Sequence, residues 1–217
     1  MNIYIPYKRS RKDELRYCLR SIEKNFAYYD DVILITDESP DWYNGNVLVH
    51  KDVSSRKQLN IISKLYCVPD NQFIMFNDDH FLLKPLTEIK NWYEGTLSQA
   101  LKKATGRYYQ AVRNTFDHFG DVKHYDIHVP AILTSLQVHR VFRLEWGDNE
   151  YIIKTAALSS QEGEEMKDLK IYRPISKEAI EELTKDRLFV STGPTGFKPQ
   201  MIQFLNEKFP DKSRWEK

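Results

Sequence analysis

The chain has 217 residues, the size of a single domain, and its 32 lysines and arginines nearly balance its 31 aspartates and glutamates. The resulting net charge of +1 excludes a general nucleic-acid coat protein and a polybasic membrane binder. An anionic partner must therefore be bound by a local cluster of basic residues. Aromatic residues, at 13%, are numerous enough to suggest a surface that stacks on ring-shaped ligands.

The cysteines and the N-terminus indicate where the protein resides. Cys18 and Cys67 lie in apolar stretches without a partner at metal-ligand spacing, which predicts reduced thiols. The apolar run at the N-terminus comes before the first charges, the reverse of a signal peptide, and no run approaches the ~20 residues of a membrane span. We therefore expect a soluble, cytoplasmic protein with no membrane span.

Short β-rich runs alternate with helical patterns in the first part of the chain. Strands are predicted at 2–7, 32–36, 47–50 and 72–76, and amphipathic helices at 12–25 and from Ser54 onward. This order predicts an α/β fold with a mostly parallel sheet flanked by helices. Ligands of such sheets lie at the carboxyl ends of the strands, so residues 8–11, 37–38 and 77–80 should meet there.

The pattern of the second part is looser and predicts a helical C-terminal part. Thr87 caps a predicted helix that runs to Ala104, and a strand is expected over 108–116. Later helices are predicted at 133–144, 149–158, from Ser176 and at 199–209, with one strand at 170–175.

Adjacent carboxylates, Asp78 and Asp79, follow the strand predicted at 72–76. Two hard oxygen ligands in a cleft suit Mg²⁺ or Mn²⁺, which keeps several waters and bridges ligand phosphates. On an extended backbone Asn77 and Asp79 point one way and Asp78 the other, so one aspartate is the direct ligand and the other supports it. The alternative is a turn whose carboxylates bind only local backbone amides.

A basic segment, residues 8–12, lies between the first strand and the first helix. An anion is favoured near a helix N-terminus, so this segment is predicted to bind a diphosphate. The arginines that carry this prediction are Arg9 and Arg11. Further along the helix, Arg16, Arg20 and Lys24 are interpreted as a solvated basic face.

Two weaker patterns occur in the second part. His124, Asp126 and His128 would share one face of a strand, where a histidine binds a metal, acts as a general base or is simply structural. The other pattern surrounds a Trp-Gly turn and consists of Arg143, Asp148 and Glu150. It is either a phosphate clamp with an acidic partner or, as we favour from the pattern alone, a salt bridge at a helix end.

Five blocks of the sequence occur in the order of one known family. They are DELRYCLRSIEK at 13–24, VILITD at 32–37 with Pro40-Asp41-Trp42, FIMFNDDHF at 73–81, His128-Val129-Pro130, and FPDKSRWE at 209–216. Together they resemble the Stealth family of sugar-phosphate transferases. That family includes bacterial capsular polysaccharide phosphotransferases and the lysosomal-enzyme N-acetylglucosamine-1-phosphotransferase. The resemblance extends from about Lys8 to Glu216.

The resemblance implies one GT-A-like domain over 1–217, with a donor-binding half at 1–86 and an acceptor and catalytic half at 87–217. It implies a UDP-sugar-type donor and catalytic roles for Asp79, His128 and Arg143. The metal, Mg²⁺ or Mn²⁺, would be held by Asp78 and Asp79. The donor-binding residues would be Lys8, Arg9, Arg11, Asp37 and Lys57. Supporting residues would be Asn77, Asp126, Asp148 and Glu150.

Two departures from the family pattern leave the transferred group open. Residues 54–60 (SSRKQLN) replace an acidic helix, and 189–194 (FVSTGP) replace a second Asn-Asp. We therefore expect a metal-dependent transferase that moves either a sugar or a sugar 1-phosphate from a nucleotide sugar to the hydroxyl of a glycan or another acceptor.

Two alternatives remain at this point. One is a phage-type DNA glycosyltransferase that acts on a modified base. The protein would then lie in the cytoplasm of a bacterium or a phage-infected host cell. Its nucleic-acid contacts would be Lys102, Lys103, Arg107, Tyr108 and Tyr109. The other is a catalytically inactive module that binds a nucleotide or a sugar.

Overall fold

A computed structural model describes residues 1–10 and 12–217, and the prediction for Arg11 lies outside these residues. The strands are β1 (Ile3–Pro6), β2 (Val32–Thr36), β3 (Asn46–Val49), β4 (Gln72–Met75), β5 (His80–Leu82), β6 (Trp92–Tyr93), β7 (Ala131–Thr134), β8 (Glu164–Glu165), β9 (Lys170–Ile171) and β10 (Phe189–Thr192). The helices are α1 (Glu14–Asn25), α2 (Lys57–Tyr66), α3 (Leu97–Leu101), α4 (Gly106–Phe119), α5 (Ser135–Phe142), α6 (Ile153–Leu158), α7 (Lys177–Thr184) and α8 (Pro199–Lys208).

Five strands form the central sheet in the order β3-β2-β1-β4-β7. The first four are parallel to one another, and β7 runs antiparallel beside β4. This arrangement confirms the predicted α/β class with a mostly parallel sheet flanked by helices. Because side chains alternate along a strand, Ile3 and Ile5 of β1 pack in the core that includes α1 and α8, whereas Tyr4 packs in the core that includes α2, α5 and α6.

The second part of the chain is less helical than predicted. It contributes four strands, β6, β8, β9 and β10, to two smaller sheets, β5-β10-β9 and β6-β8, and none of these four strands has more than four residues. Such short strands carry too few residues to show a period-two pattern in the sequence. The strand predicted over 170–175 is therefore shortened to β9, and β10 was not predicted.

Two segments of the second part differ from their predictions. Residues 108–116, rich in aromatics and predicted as a strand, lie in α4, where Ala111, Val112 and Thr115 form one buried face at helical spacing. The helix predicted from Thr87 is replaced by β6 and the short α3, which begins with a capping box between Thr96 and Gln99.

The last residues of the chain pack against α1. The Glu216 carboxylate is fully buried and accepts hydrogen bonds from Arg16 (2.6 Å) and from Nε of Arg20 (2.7 Å). Burial alone would raise the pKa of Glu216, but hydrogen bonds from Arg20, the Ser213 backbone and Arg16 lower it to about 2. Arg16 and Arg20 therefore do not form the solvated face that was predicted.

We expect Glu216→Gln to reduce the free energy of unfolding by about 1–3 kcal/mol at neutral pH, because the half-buried guanidinium groups of Arg16 and Arg20 lose a buried counter-charge. In the wild type, a lowered pKa stabilises the fold above about pH 4.5, and this stabilisation is lost as the pH falls toward about 2. Urea unfolding at neutral and acidic pH measures both effects. Glu182→Gln, which changes an exposed carboxylate on α7, is the control. Equal stability of the two variants at neutral pH would contradict this prediction.

In the part of the chain that the structure describes, none of the helices has the length and apolar character to cross a membrane.

Candidate functional site

Three adjoining cavities lie where the carboxyl ends of β1 and β4 meet the second part of the chain. The lysine-rich cleft, of about 460 Å³, is lined by Pro6–Lys8, Ser10, Lys12, Glu14, Asp52, Ser55, Lys57, Asn60, Ile61, Lys64, Asn77–Asp79, Lys170 and Thr192–Pro194. The central chamber, of about 80 Å³, is lined by Lys57, Gln58, Ile61, Met75, Asn77, Asp79, Asp126–His128, Ile153, Lys154 and Lys170. The tyrosine-lined cleft, of about 870 Å³, is lined by Glu94, Gly95, Gln99, Ala100, Lys102–Thr105, Tyr108, His124, Asp126–His128, Glu165, Asp168 and Tyr172. The chamber shares lining residues with each of the two clefts.

The strand arrangement explains why residues distant in sequence meet at the chamber. Met75 at the end of β4 pairs with Ala131 at the start of the antiparallel β7. The turn after β4 and the segment before β7 therefore reach the same edge of the sheet. As a result, Asp79 and His128 both line the central chamber.

Lysines dominate the positive charge of the lysine-rich cleft. Lys64 is almost fully buried, donates to the Tyr7 carbonyl (2.8 Å) and forms an ion pair with Asp52 (2.8 Å). Lys8 is also paired with Asp52 (3.1 Å), and Lys170 is paired with Asp79 (3.2 Å). These ammonium groups line one open volume, so a diphosphate bound there would take hydrogen bonds from lysines that pair with Asp52 and Asp79.

The predicted donor-binding residues separate into two groups. Lys8 and Lys57 line the lysine-rich cleft, as expected. Arg9 does not line it, because its guanidinium is held at the surface by Glu38 (2.5 Å) and Asp41 (2.9 Å). Asp37 is exposed after β2 and lines none of the three cavities.

Two lysines in this cleft, Lys64 and Lys170, were not assigned to the site from the sequence. The position of Lys64 among the apolar residues of α2 could have indicated that it binds a polar group, because a buried lysine requires a polar partner. Lys170 lies at the start of the two-residue β9, and no local pattern in the sequence indicates that it faces Asp79.

Asp78 carries negative charge that its surroundings do not fully compensate. Burial, together with the neighbouring carboxylates of Asp79 and Glu14, raises the pKa of Asp78 to about 7. No lysine or arginine among residues 1–10 and 12–217 lies within 4.0 Å of its carboxylate oxygens, although Lys57 favours the charged form from farther away. The site therefore attracts a cation.

We expect Asp78→Asn to stabilise the protein by about 1–3 kcal/mol near pH 8 and to have little effect near pH 4. A carboxyl group whose pKa is raised on folding destabilises the fold as the pH rises through the range from its unfolded value to about 7. Urea midpoints at both pH values measure the difference, with Asp211→Asn as an exposed control. An equal effect of Asp78→Asn at the two pH values would show that its charge is not the cause.

Asp78 and Asp79 fit a metal that takes only part of its ligands from the protein. No cluster of three or more His, Cys, Asp or Glu side chains within 1–10 and 12–217 is arranged to hold a metal ion. However, Mg²⁺ in phosphate-binding sites is commonly held by one or two carboxylates, with waters and phosphates completing the shell. The raised pKa of Asp78 is consistent with such a site.

His128 is oriented by a carboxylate from the β8–β9 region. Its Nδ1 lies 2.5 Å from Oδ2 of Asp168, and its backbone N–H donates to Oδ1 of the same residue (3.0 Å). The Asp168 backbone N–H in turn donates to Glu94 (2.9 Å). Burial alone would raise the pKa of Asp168, but the hydrogen bond and charge of His128 lower it. This pairing directs Nδ1 to the carboxylate and leaves Nε2 to accept a proton.

A buried lysine holds the segment that carries His128. Lys154 on α6 is 5% exposed, and its ammonium group donates to the carbonyls of Ile127 and Val129, on either side of His128. Burial lowers the pKa of Lys154, an effect opposed by Asp126, Asp168 and Asp79. Lys154 and Lys170 both line the central chamber, where they supply positive charge next to His128.

The sequence predicts that His124, Asp126 and His128 share one face of a strand. They do not form a strand, but all three line the tyrosine-lined cleft. His124 is bound through Nε2 to the Tyr108 hydroxyl (3.0 Å), and burial lowers its pKa. His128 is thus the histidine of this pattern that faces the chamber.

The Arg143 group is not brought to the site. Arg143 and Asp148 are exposed and Glu150 is half-buried, and none of them lines any of the three cavities. Their turn is held instead by Arg56, which donates to the carbonyls of Trp146 (2.8 Å) and Asn149 (3.0 Å).

The three cavities thus bring together a majority of the residues predicted from the sequence: Lys8, Lys57, Asn77, Asp78, Asp79, Asp126 and His128. No protein-family model matches the chain, and no significant match is found among curated proteins. The functional assignment therefore depends on the chemistry of these cavities.

Proposed function

We propose that the protein is a metal-dependent transferase that uses a nucleotide sugar of the UDP-sugar type as its donor. It moves a sugar or a sugar 1-phosphate to an acceptor hydroxyl, in a GT-A-like domain related to the Stealth transferases. The observation that carries this proposal is the central chamber, where Asp79 and His128 lie between two larger clefts. Donor and acceptor can then meet in one oriented arrangement.

The lysine-rich cleft is suited to the donor. Its lysines bind the diphosphate, and Asp78 and Asp79 would hold Mg²⁺ or Mn²⁺, which neutralises phosphate charge when bound. Lys170 bridges the cleft and the chamber and contacts Asp79. It therefore lies where charge develops on the diphosphate or phosphoryl group, the role that the resemblance assigns to Arg143.

The acceptor hydroxyl reaches the chamber from the tyrosine-lined cleft. Nε2 of His128 accepts its proton while the acceptor oxygen forms a bond to the sugar carbon or to the phosphorus, and Asp168 stabilises the imidazolium. The bond to the leaving group breaks at the same time. UDP leaves in sugar transfer, and UMP leaves in sugar-phosphate transfer.

A thermal-shift screen over UDP-, GDP- and ADP-sugars, with Mg²⁺, Mn²⁺ or EDTA, tests the proposal. A donor at about 100 times its Kd stabilises the native state by about 2.7 kcal/mol, which raises Tm by several degrees. We expect this rise for a UDP-sugar with metal and its loss with EDTA. The absence of any shift with every nucleotide sugar would contradict the proposal. Binding without turnover would favour the inactive binding module, and the released nucleotide distinguishes the two transfer reactions.

A further inference from the structure

We propose that the tyrosine-lined cleft selects an acceptor that presents an uncharged, hydroxyl-bearing ring, and that Glu165 helps to exclude polyanionic acceptors. This inference rests on the proposed function, because it defines the acceptor class for the same site. It opposes the DNA-modifying alternative that the sequence left open.

The lining of the cleft carries more acidic than basic side chains. Its lining includes four carboxylates, Glu94, Asp126, Glu165 and Asp168, and two lysines, Lys102 and Lys103. Three of the carboxylates lie near His128: Asp168 binds it, Glu94 binds Asp168, and Asp126 is two residues away. A phosphate that lies in the cleft, outside the lysine-lined chamber, would therefore meet more carboxylates than ammonium groups.

The cleft also presents two exposed tyrosine rings. Tyr108 on α4 and Tyr172 after β9 both line the cleft, and 41% and 61% of their surfaces are exposed. Exposed rings of this kind stack on the apolar face of a cyclic ligand. The neighbouring carboxylates accept hydrogen bonds from ligand hydroxyls, so the lining suits a neutral polyhydroxylated ring.

The basic edge of the cleft does not reverse this preference. Lys102 and Lys103 lie at the exposed end of α3, whereas Glu165 and Asp168 lie on the segment that leads to Tyr172. A nucleic-acid backbone that followed the lysines into the cleft would meet these carboxylates. Its phosphates would lose the attraction gained at the edge.

Fluorescence anisotropy with labelled heparin oligosaccharide and a labelled 5-hydroxymethylcytosine duplex tests the exclusion of polyanions without a donor. At about 150 mM salt we expect no saturable binding by the wild type. Glu165→Lys should bind heparin at least about tenfold more tightly than Glu182→Lys, which makes the same charge change on α7. Tight binding of either polyanion by the wild type, weakened by Lys103→Glu, would overturn the inference. Equal heparin binding by the Glu165 and Glu182 variants would also overturn it.

Donor turnover tests the uncharged ring. We expect methyl glycosides to stimulate nucleotide release by the wild type at least about tenfold more than their sulfated counterparts, and Tyr172→Ala to reduce this stimulation about tenfold. Tyr28→Ala, at a residue 65% exposed that lines none of the cavities, is the control. The inference would be overturned if only the sulfated compounds or the duplex stimulated nucleotide release. It would also be overturned if the enzyme hydrolysed its donor and no glycoside stimulated nucleotide release. If no donor is hydrolysed, the proposed function fails, while the anisotropy experiment still decides whether polyanions are excluded.

Discussion

His128→Asn should lower the rate of transfer by about 10²–10⁴-fold while donor binding changes little. His128 borders the chamber and the tyrosine-lined cleft, and its Nε2 is the group proposed to accept the proton of the acceptor. Asparagine has a similar size but cannot accept a proton at this position. Initial rates over a range of donor concentrations separate kcat from KM, and the decrease should be in kcat.

Asp168→Asn provides a companion measurement. Since the pKa of Asp168 is lowered, its carboxylate is charged at neutral pH and stabilises the protonated His128. We expect a loss of about 10²-fold in kcat, again with little change in the donor-dependent thermal shift. Asp148→Asn, on a residue outside the cavities, should keep full activity. If His128→Asn kept more than about a tenth of the activity, its role as general base would be wrong.

Asp79→Asn should abolish the metal-dependent thermal shift and lower turnover about 10²–10³-fold. Asp79 lines both the lysine-rich cleft and the chamber, and it holds Lys170 at 3.2 Å. The substitution removes the charge and keeps the side-chain shape. Thermal shifts with and without Mn²⁺ and the rate of UMP or UDP release measure the two effects. A variant with unchanged metal response would remove Asp79 from the metal site.

Two variants that each remove one positive charge test whether Lys170 or Arg143 supplies the cation of the site. Lys170→Met should reduce turnover about 10²-fold, because the positive charge next to Asp79 is lost. Arg143→Met removes the cation that the resemblance placed at the site, but the structure leaves this residue exposed and outside the cavities. We expect Arg143→Met to keep wild-type kcat, and a large loss here would restore the assignment from the resemblance.

Local patterns in the sequence predicted the parts of the fold that depend on local information. Apolar residues dominate β1, β2, β3 and β4, which were all predicted, and β2 was placed at its observed bounds, Val32–Thr36. Asn77–Asp79 could be assigned to a site because the three residues are adjacent and follow a buried strand. In contrast, Tyr108 and Tyr109 favoured a strand by propensity, although tertiary packing places them in α4.

Contacts between distant segments could not be predicted. Asp168 is 40 residues from His128, and their pairing depends on where the short β8 and β9 lie. The positions of Arg9 and Lys64 could not be predicted for the same reason. Neighbouring carboxylates hold Arg9 at the surface, whereas the packing of α2 carries Lys64 into the cleft.

The first and the last of the five sequence blocks contact each other. Arg16 and Arg20 of the first block bind Glu216 of the last, and Glu23 binds Arg214 in the same way (2.7 Å). These two blocks therefore join the ends of the chain. Asn77, Asp79 and His128, from two other blocks, line the central chamber.

The small volume of the central chamber has a consequence for the efficiency of the reaction. At about 80 Å³, it is far smaller than the two neighbouring clefts, which measure about 460 and 870 Å³. Under the proposed function, an acceptor hydroxyl that enters the chamber fills much of this volume and displaces the water that would otherwise compete for the donor. Hydrolysis of the donor should therefore fall as the concentration of acceptor rises.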